Sequence, residues 1–257
     1  METILWGFLA SLAAGLMTGV GAAPVLVGRT IDRLWTDRLL GFAAGVMLAA
    51  SFFSLLIPAI EAAEARHGSA ALAAAIAAGG VVLGVAATAG LNSVLPHEHF
   101  IAGPEGADPG AMERIWLFVL AITIHNFPEG MAVGIGFGGG DIANGVPLAV
   151  GIGLQNAPEG LAVAVALAGL GYRRCTAFLV AFATGLIEPV GGLIGVAAVT
   201  VATPLLPWGL AFAAGAMIYV ISHEIIPETH SHGHHASATA GLTVGLVLMM
   251  FLDVTLG

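Results

Sequence analysis

Charged residues are scarce in this sequence, and lysine is absent altogether. Only 9% of the 257 residues are charged, whereas 58% are hydrophobic and the mean hydropathy is +0.97. Soluble domains carry about 25% charged residues, so this composition excludes an ordinary soluble fold. No hydrophilic stretch is long enough to form a separate soluble domain. We therefore predict a single domain, residues 1–257, whose main partner is the lipid bilayer.

Cysteine is also nearly missing. Cys175 is the only one, which excludes an intrachain disulfide and a cysteine-rich metal site. The amino terminus lacks the basic region of a secretory signal, and its apolar run is longer than that of a signal, so residues 4–27 are predicted to be a retained span. We expect no nucleic acid among the partners.

Apolar runs of about 20 residues or more recur along the chain, each long enough to cross a hydrocarbon core about 30 Å thick. The predicted fold class is therefore all-α, a polytopic transmembrane helical bundle. Breaks at charged residues, prolines and histidines divide it into eight spans: 4–27, 39–60, 69–94, 115–137, 145–170, 176–201, 205–227 and 238–256.

The arginines predict the orientation of these spans. With eight spans, six of the seven arginines fall on one side of the membrane and only Arg66 falls on the other. The positive-inside rule makes the arginine-rich side cytoplasmic. Both termini are then extracytoplasmic, and we expect a multi-pass protein of the bacterial inner membrane.

Two polar motifs repeat each other inside otherwise apolar spans. Residues 125–130 read His-Asn-Phe-Pro-Glu-Gly, and residues 155–160 read Gln-Asn-Ala-Pro-Glu-Gly. A helical rise of about 1.5 Å per residue places both motifs side by side near the middle of the membrane. Residues three and four apart share a helix face, so each helix presents a polar stripe. Pro128 and Pro158 are expected to break the two helices and to free backbone carbonyls.

Glu188 in the sixth span is predicted to lie at the same depth as these motifs. A carboxylate inside a membrane is costly and is therefore a functional candidate by default. No lysine or arginine is available there to neutralise the acids, so protons or a cation must do so. Carboxylate, imidazole and amide groups, with the thioether of Met47 in the second span, suit zinc, cadmium, iron or manganese better than calcium or magnesium.

The paired motifs resemble those of the ZIP (Zrt/Irt-like protein) family of divalent metal transporters, and the chain is similar to its bacterial GufA-like branch. The resemblance extends over nearly the whole chain, although many members carry His at Gln155 and some carry Asp at Asn156. It implies homodimers and movement of the first, fourth, fifth and sixth spans as one block. It also implies a binuclear metal centre in which Glu129 and Glu159 bridge the two metals. The implied ligands are Met47, His125, Glu129, Gln155 and Glu159 for the first metal, and Asn126, Glu129, Asn156, Glu159 and Glu188 for the second.

Further polar residues follow near the predicted cytoplasmic end of the seventh span. His223 and Glu224 resemble an exit path for the metal. A loop rich in histidine comes next and is expected to bind metal loosely. Its histidines are His230, His232, His234 and His235.

These features predict uptake of a divalent transition metal, zinc above all, into the cytoplasm by alternating access. The transported metal is the only ligand expected, with no cofactor. We hypothesise that the metal displaces protons from its ligands, so that binding weakens as the pH falls. A metal-selective channel and a metal-sensing membrane protein without transport remain alternatives. An enzyme is not expected, because Pro227 replaces the second histidine of a His-Glu-x-x-His motif.

Overall fold

Helices form nearly all of the computed structural model, which describes residues 2–28, 31–94, 97–99, 103–105, 114–140, 142–169, 171–230 and 233–256. In these residues the α-helices are α1 (Glu2–Ala22), α2 (Arg33–Ala50), α3 (Ile57–His67), α4 (Ala70–Val94), α5 (Arg114–Gly138), α6 (Ile142–Gly169), α7 (Arg174–Gly185), α8 (Glu188–Val201), α9 (Leu206–Val220), α10 (Ile226–His230) and α11 (His235–Leu256).

Short irregular turns join several of these helices. The 3-10 turns Ala23–Val27 and Thr203–Leu205 flank α1 and α9, and the π-helical turns Ser51–Leu56 and Ile221–Ile225 join α2 to α3 and α9 to α10. Between α4 and α5 the chain forms a small antiparallel hairpin of β1 (His97–His99) and β2 (Gly103–Glu105). The all-α prediction therefore describes the bundle, and this hairpin is the addition to it.

Seven segments of the described chain are long and apolar enough to cross a membrane. They overlap seven of the predicted spans: Glu2–Val27, Arg33–His67, Ala70–Val94, Gly145–Gly169, Arg174–Val201, Thr203–His230 and His235–Leu256. The predicted fourth span, 115–137, coincides with the 25-residue helix α5. The chain is thus a multi-pass helical membrane protein, and the count of eight spans stays a prediction.

The helix break expected at Pro128 and Pro158 is absent from the structure, because α5 and α6 continue through these prolines. Helices packed on all sides inside a membrane protein tolerate an internal proline, since their neighbours satisfy the freed backbone groups. The break lies instead in the sixth span, between α7 and α8. Glu188 and Pro189 open α8 there, and a proline in the first turn of a helix lacks only an amide hydrogen that would have no intrahelical acceptor.

The helices pack into two groups. The first helix group consists of α1, α5, α6, α7 and α8, with α5 on α8 and α1 on α6 as its main contacts. The second helix group consists of α2, α3, α4, α9, α10 and α11, dominated by α2 on α11 and α4 on α9. The groups meet chiefly where α6 lies against α2 and α11 and where α5 lies against α9. The first group holds the same four spans that the family resemblance assigns to one block.

Glycines bring backbones into direct contact inside each group. A Cβ atom on Gly130 in α5 would overlap the carbonyl group of Glu188 in α8. In the second group, a Cβ atom on Gly45 of α2 would overlap the carbonyl oxygen of Leu242 in α11. Such approaches need residues without a side chain, as expected where lipid gives helices no hydrophobic reason to associate.

Candidate functional site

The two polar motifs lie deep inside the bundle, on the neighbouring helices α5 and α6. Their polar side chains and that of Glu188 are at most 4% exposed, which separates these groups from both solvent and lipid. Burial of so many polar groups is expensive unless they bind each other or a ligand. The buried set is His125, Asn126, Glu129, Gln155, Asn156, Glu159 and Glu188.

A hydrogen bond joins the two motif helices at the centre of this set. The Gln155 amide nitrogen donates to Glu129 Oε1 at 2.5 Å. Glu129, Glu159 and Glu188 also lie close enough for their charges to interact. The structure therefore brings together the three glutamates that the sequence placed at one depth.

Asn156 connects the motifs to two further helices. Its amide nitrogen donates to Glu188 Oε1 at 2.7 Å, which draws the sixth span into the cluster. It also donates to the backbone carbonyl of Ala14 in α1 at 2.9 Å. Ala14 could not be predicted from the sequence, because its contribution comes from the backbone and any residue type supplies a carbonyl.

Glu224 belongs to the buried cluster as well. The sequence predicts it in an exit path near the cytoplasmic end of the seventh span; in the structure it is only 5% exposed, and its Oε2 contacts Nε2 of His125. Its neighbour His223 stacks on the ring of Tyr219 instead, with centroids 4.8 Å apart. The signal for Glu224 was available, since it is an acidic residue inside the predicted span 205–227, as Glu188 is inside 176–201.

The remaining predicted residues are more dispersed. Met47 is 1% exposed and belongs to the apolar core that also contains Ile152. In the histidine-rich loop, His234 Nδ1 lies 2.7 Å from Oδ2 of the buried Asp37. The rings of His230 and His235 lie 5.4 Å apart, and His232 is outside the described residues.

Oxygen acceptors are in excess within the buried set. Several of its atoms have no hydrogen-bond partner in the described part of the chain, and most are carboxylate or amide oxygens. A buried acceptor without a partner costs about 1–3 kcal/mol, so this concentration indicates a place that binds a cation or water. These atoms are His125 Nδ1, both amide atoms of Asn126, Glu129 Oε2, Gln155 Oε1, Asn156 Oδ1, both carboxylate oxygens of Glu159, and Glu188 Oε2.

The side chains are not yet arranged around a metal. Among the described residues, no three His, Cys, Asp or Glu side chains converge in a way that could hold one. Two of the candidate ligands are turned towards other partners: His125 binds Glu224, and Glu129 accepts the hydrogen bond from Gln155. A cation that binds His125 through Nε2 would take the place of Glu224, whereas Oε2 of Glu129 has no hydrogen-bond partner in the described structure to displace.

Comparison with known proteins identifies the class of molecule. Residues 105–253 match the family model described as "ZIP Zinc transporter". The chain is 47% identical to the zinc transporter GufA of Myxococcus xanthus, over 98% of this chain and 99% of the relative. It is 48% identical to the zinc transporter ZIPB of Bordetella bronchiseptica, over 98% of this chain and 82% of the relative. The human zinc transporter ZIP11 is 38% identical, over 94% of each chain.

These matches confirm the resemblance drawn from the paired motifs, and they agree with a multi-pass membrane protein rather than an enzyme. The chain belongs to the ZIP family of zinc transporters, in its GufA-like branch.

Proposed function

We propose that the chain takes up zinc, and also cadmium, iron or manganese, into the cytoplasm through the buried cluster. The excess of unpartnered oxygen acceptors beside His125 is the observation that supports this most directly. A mixed set of imidazole, carboxylate and amide ligands suits borderline divalent metals. The proposal includes eight spans, outer termini, a single domain, the bacterial inner membrane and a homodimer.

Two metal positions are proposed inside the cluster. The first takes Met47, His125, Glu129, Gln155 and Glu159, and the second takes Asn126, Asn156 and Glu188 together with the bridging Glu129 and Glu159. The present hydrogen bonds support this division, because Gln155 binds Glu129 whereas Asn156 binds Glu188. Each amide would turn its oxygen, in place of its nitrogen, towards a metal.

Release towards the cytoplasm is proposed to involve Glu224. Its partner His125 precedes Glu129 by one turn of α5, on the side of the cluster that faces the arginine-rich end. Glu224 lies in the turn that joins α9 to α10 of the second helix group, and His125 lies in α5 of the first, so this contact spans the boundary between the groups. A metal bound by His125 must displace Glu224, and the carboxylate can then accept the metal on its way inwards.

Alternating access is proposed to occur at the boundary between the two helix groups. Backbone contacts at glycines, such as Gly130 against Glu188, hold each group together from within. The described glycines that face the opposite group meet only side chains there: Gly139 meets Leu206, Gly151 meets Met249 and Val46, and Gly209 meets Ile135. Side chains change rotamer far more easily than backbones separate, so the groups can shift as two bodies.

Zinc entry into proteoliposomes tests the proposal. Liposomes that contain the parent chain and an internal zinc-sensitive dye are expected to fill at a rate that saturates with external zinc. The variant His125→Ala should give only the background rate of empty liposomes. A rate that rises linearly with zinc would favour the channel. No uptake of zinc, cadmium, iron or manganese by a folded parent would reject transport and leave a sensing role.

Asn156→Asp is expected to make thermal stability depend more strongly on divalent metal. Aspartate cannot donate to Glu188 Oε1 or to the Ala14 carbonyl, and it places a second carboxylate beside Glu188. Without metal the melting temperature should fall, by several degrees for a loss of about 2 kcal/mol. Saturating zinc should raise it by more than in the parent.

The matched variant is Asn156→Ala, which removes the same donors without adding charge. It should lose stability but gain no extra response to zinc. Equal zinc-induced shifts in the Asp and Ala variants, measured by thermal unfolding in detergent, would contradict a metal position beside Asn156.

A further inference from the structure

Met249 is exceptional within its helix. The helix α11, which is described in full, buries only Ala238, Gly245 and Met249. The two small residues lie in the half of α11 that packs closely on α2, where Gly41 and Gly245 form backbone contacts. Met249 is a long side chain that is 0% exposed, on a helix whose other large residues are at least partly exposed.

The side chain of Met249 reaches across the boundary between the two helix groups. Its sulfur lies against Gly151 in α6. A Cβ atom added to Gly151 would overlap this sulfur and would lie 3.5 Å from Val46 Cγ1. The glycine thus forms a recess in α6 that the thioether fills. Methionine suits such a contact because it is unbranched, flexible and polarisable.

This contact lies on one side of the candidate cation site. Gly151 precedes Gln155 by one turn of α6, on the same helix face and towards the turn between α5 and α6. The arginine distribution predicts that this turn is outside the membrane. Leu148 and Ile152 complete an apolar layer at this level, each 0% exposed. A cation from outside must pass this layer before it reaches Glu129.

We propose that Met249, seated in the recess at Gly151, is the outer gate of the cation path. The proposal rests on the transport function proposed above. When the groups are in the described arrangement, the thioether closes the path; when the first group shifts, Met249 leaves the recess and the cluster opens outwards. Ile135 against Gly209 is a less suitable gate, because a β-branched side chain is restricted in rotation.

Accessibility of a cysteine beneath the gate tests this. The background is Cys175→Ser, which removes the only native thiol. Met47→Cys is the reporter, because Met47 is 1% exposed and is next to Val46 in the chain. Intact cells are treated with a membrane-impermeant thiol reagent, and the labelling rate is compared between variants. Gly151→Ala fills the recess and should displace Met249, which raises labelling by about fivefold, the size of a coupling near 1 kcal/mol.

The matched control is Gly153→Ala, the same change two residues along α6. A Cβ atom there would make ordinary contacts, 3.5 Å from Met17 Cγ, so labelling should stay at the parent rate. Met249→Ala should raise labelling by itself, and adding Gly151→Ala to it should have no further effect. Ala164→Cys, in a core of the first group away from Met249, replaces the reporter to detect general loosening and should remain unlabelled.

The outcomes separate the gate from the transport function. Equal labelling of the Gly151→Ala and Gly153→Ala variants would overturn the gate, and so would a reporter that is reached only from the cytoplasmic side. If Gly151→Ala raised the labelling of the Ala164→Cys chain as well as that of the Met47→Cys chain, Met249 would have a purely structural role. This result would also overturn the gate. Zinc uptake is measured in parallel on chains with Met47 intact. Absent uptake in the parent would reject transport, whereas normal uptake without the expected labelling pattern would reject only the gate.

Discussion

Glu129→Gln is expected to abolish zinc uptake. The glutamine preserves the shape of the side chain, and its oxygen can still accept the hydrogen bond that Gln155 donates to Glu129 Oε1. It lacks the negative charge at a position that is 1% exposed and that both proposed metal positions share. Loss of a residue that only supports a metal ligand by a hydrogen bond already weakens metal sites by about 10–100-fold. Loss of a bridging carboxylate should therefore lower zinc affinity by more than about 100-fold.

Two measurements separate binding from folding in this variant. Zinc affinity is obtained by equilibrium dialysis of the purified protein, and uptake by the proteoliposome assay. Glu2→Gln is the matched control, because Glu2 is exposed and lies far along the chain from the motifs, so its removal should change neither quantity. Uptake by Glu129→Gln at the parent rate would show that the bridging carboxylate is not part of the path.

The sequence predicted the positions of the long helices well because hydropathy and helix length are local properties. The helix α4, Ala70–Val94, agrees with the predicted 69–94 almost to the residue. Agreement is poorer where helices run on beyond the apolar core, as in Arg33–His67 against 39–60. Hydropathy ends a span at the first charged residue, whereas backbone hydrogen bonding continues the helix past it.

The same limit applies around Glu224. The predicted span ends at Pro227. In the structure a π-helical turn, Ile221–Ile225, precedes the proline, and α10 continues to His230. Pro227 is only the second residue of α10, where a missing amide hydrogen costs little. Sequence periodicity has no signal for one extra residue in a turn, so the contact of Glu224 with His125 could not be inferred from it.

The proximity of the two motifs was predictable from the sequence, but their contacts were not. Repetition of Asn, Pro, Glu and Gly thirty residues apart placed Glu129 and Glu159 on adjacent helices at one depth. Which side chains pair depends on rotamers and on helix rotation, neither of which follows from spacing. The contacts of Asn156 with the Ala14 carbonyl and of His125 with Glu224 therefore needed the three-dimensional structure.

Gly130→Ala is expected to destabilise the first helix group severely. A Cβ atom at this position would overlap the carbonyl group of Glu188, and a backbone carbonyl cannot move aside as a side chain can. The helices α5 and α8 must separate, which by analogy with overpacked cores costs about 1–3 kcal/mol or more. For a chain of this size, the decrease in melting temperature should lie between several degrees and about 10 °C.

Gly90→Ala is the matched control because it makes the same change with the opposite expectation. Gly90 lies in α4, is exposed, and has nothing within 4 Å of a Cβ atom. Alanine is favoured over glycine inside a helix by about 1 kcal/mol, so this variant should melt at or slightly above the parent temperature. Similar melting temperatures for the two variants would contradict the close packing of α5 on α8. Since that packing also positions Glu188, Gly130→Ala should lose zinc uptake even in the fraction that folds.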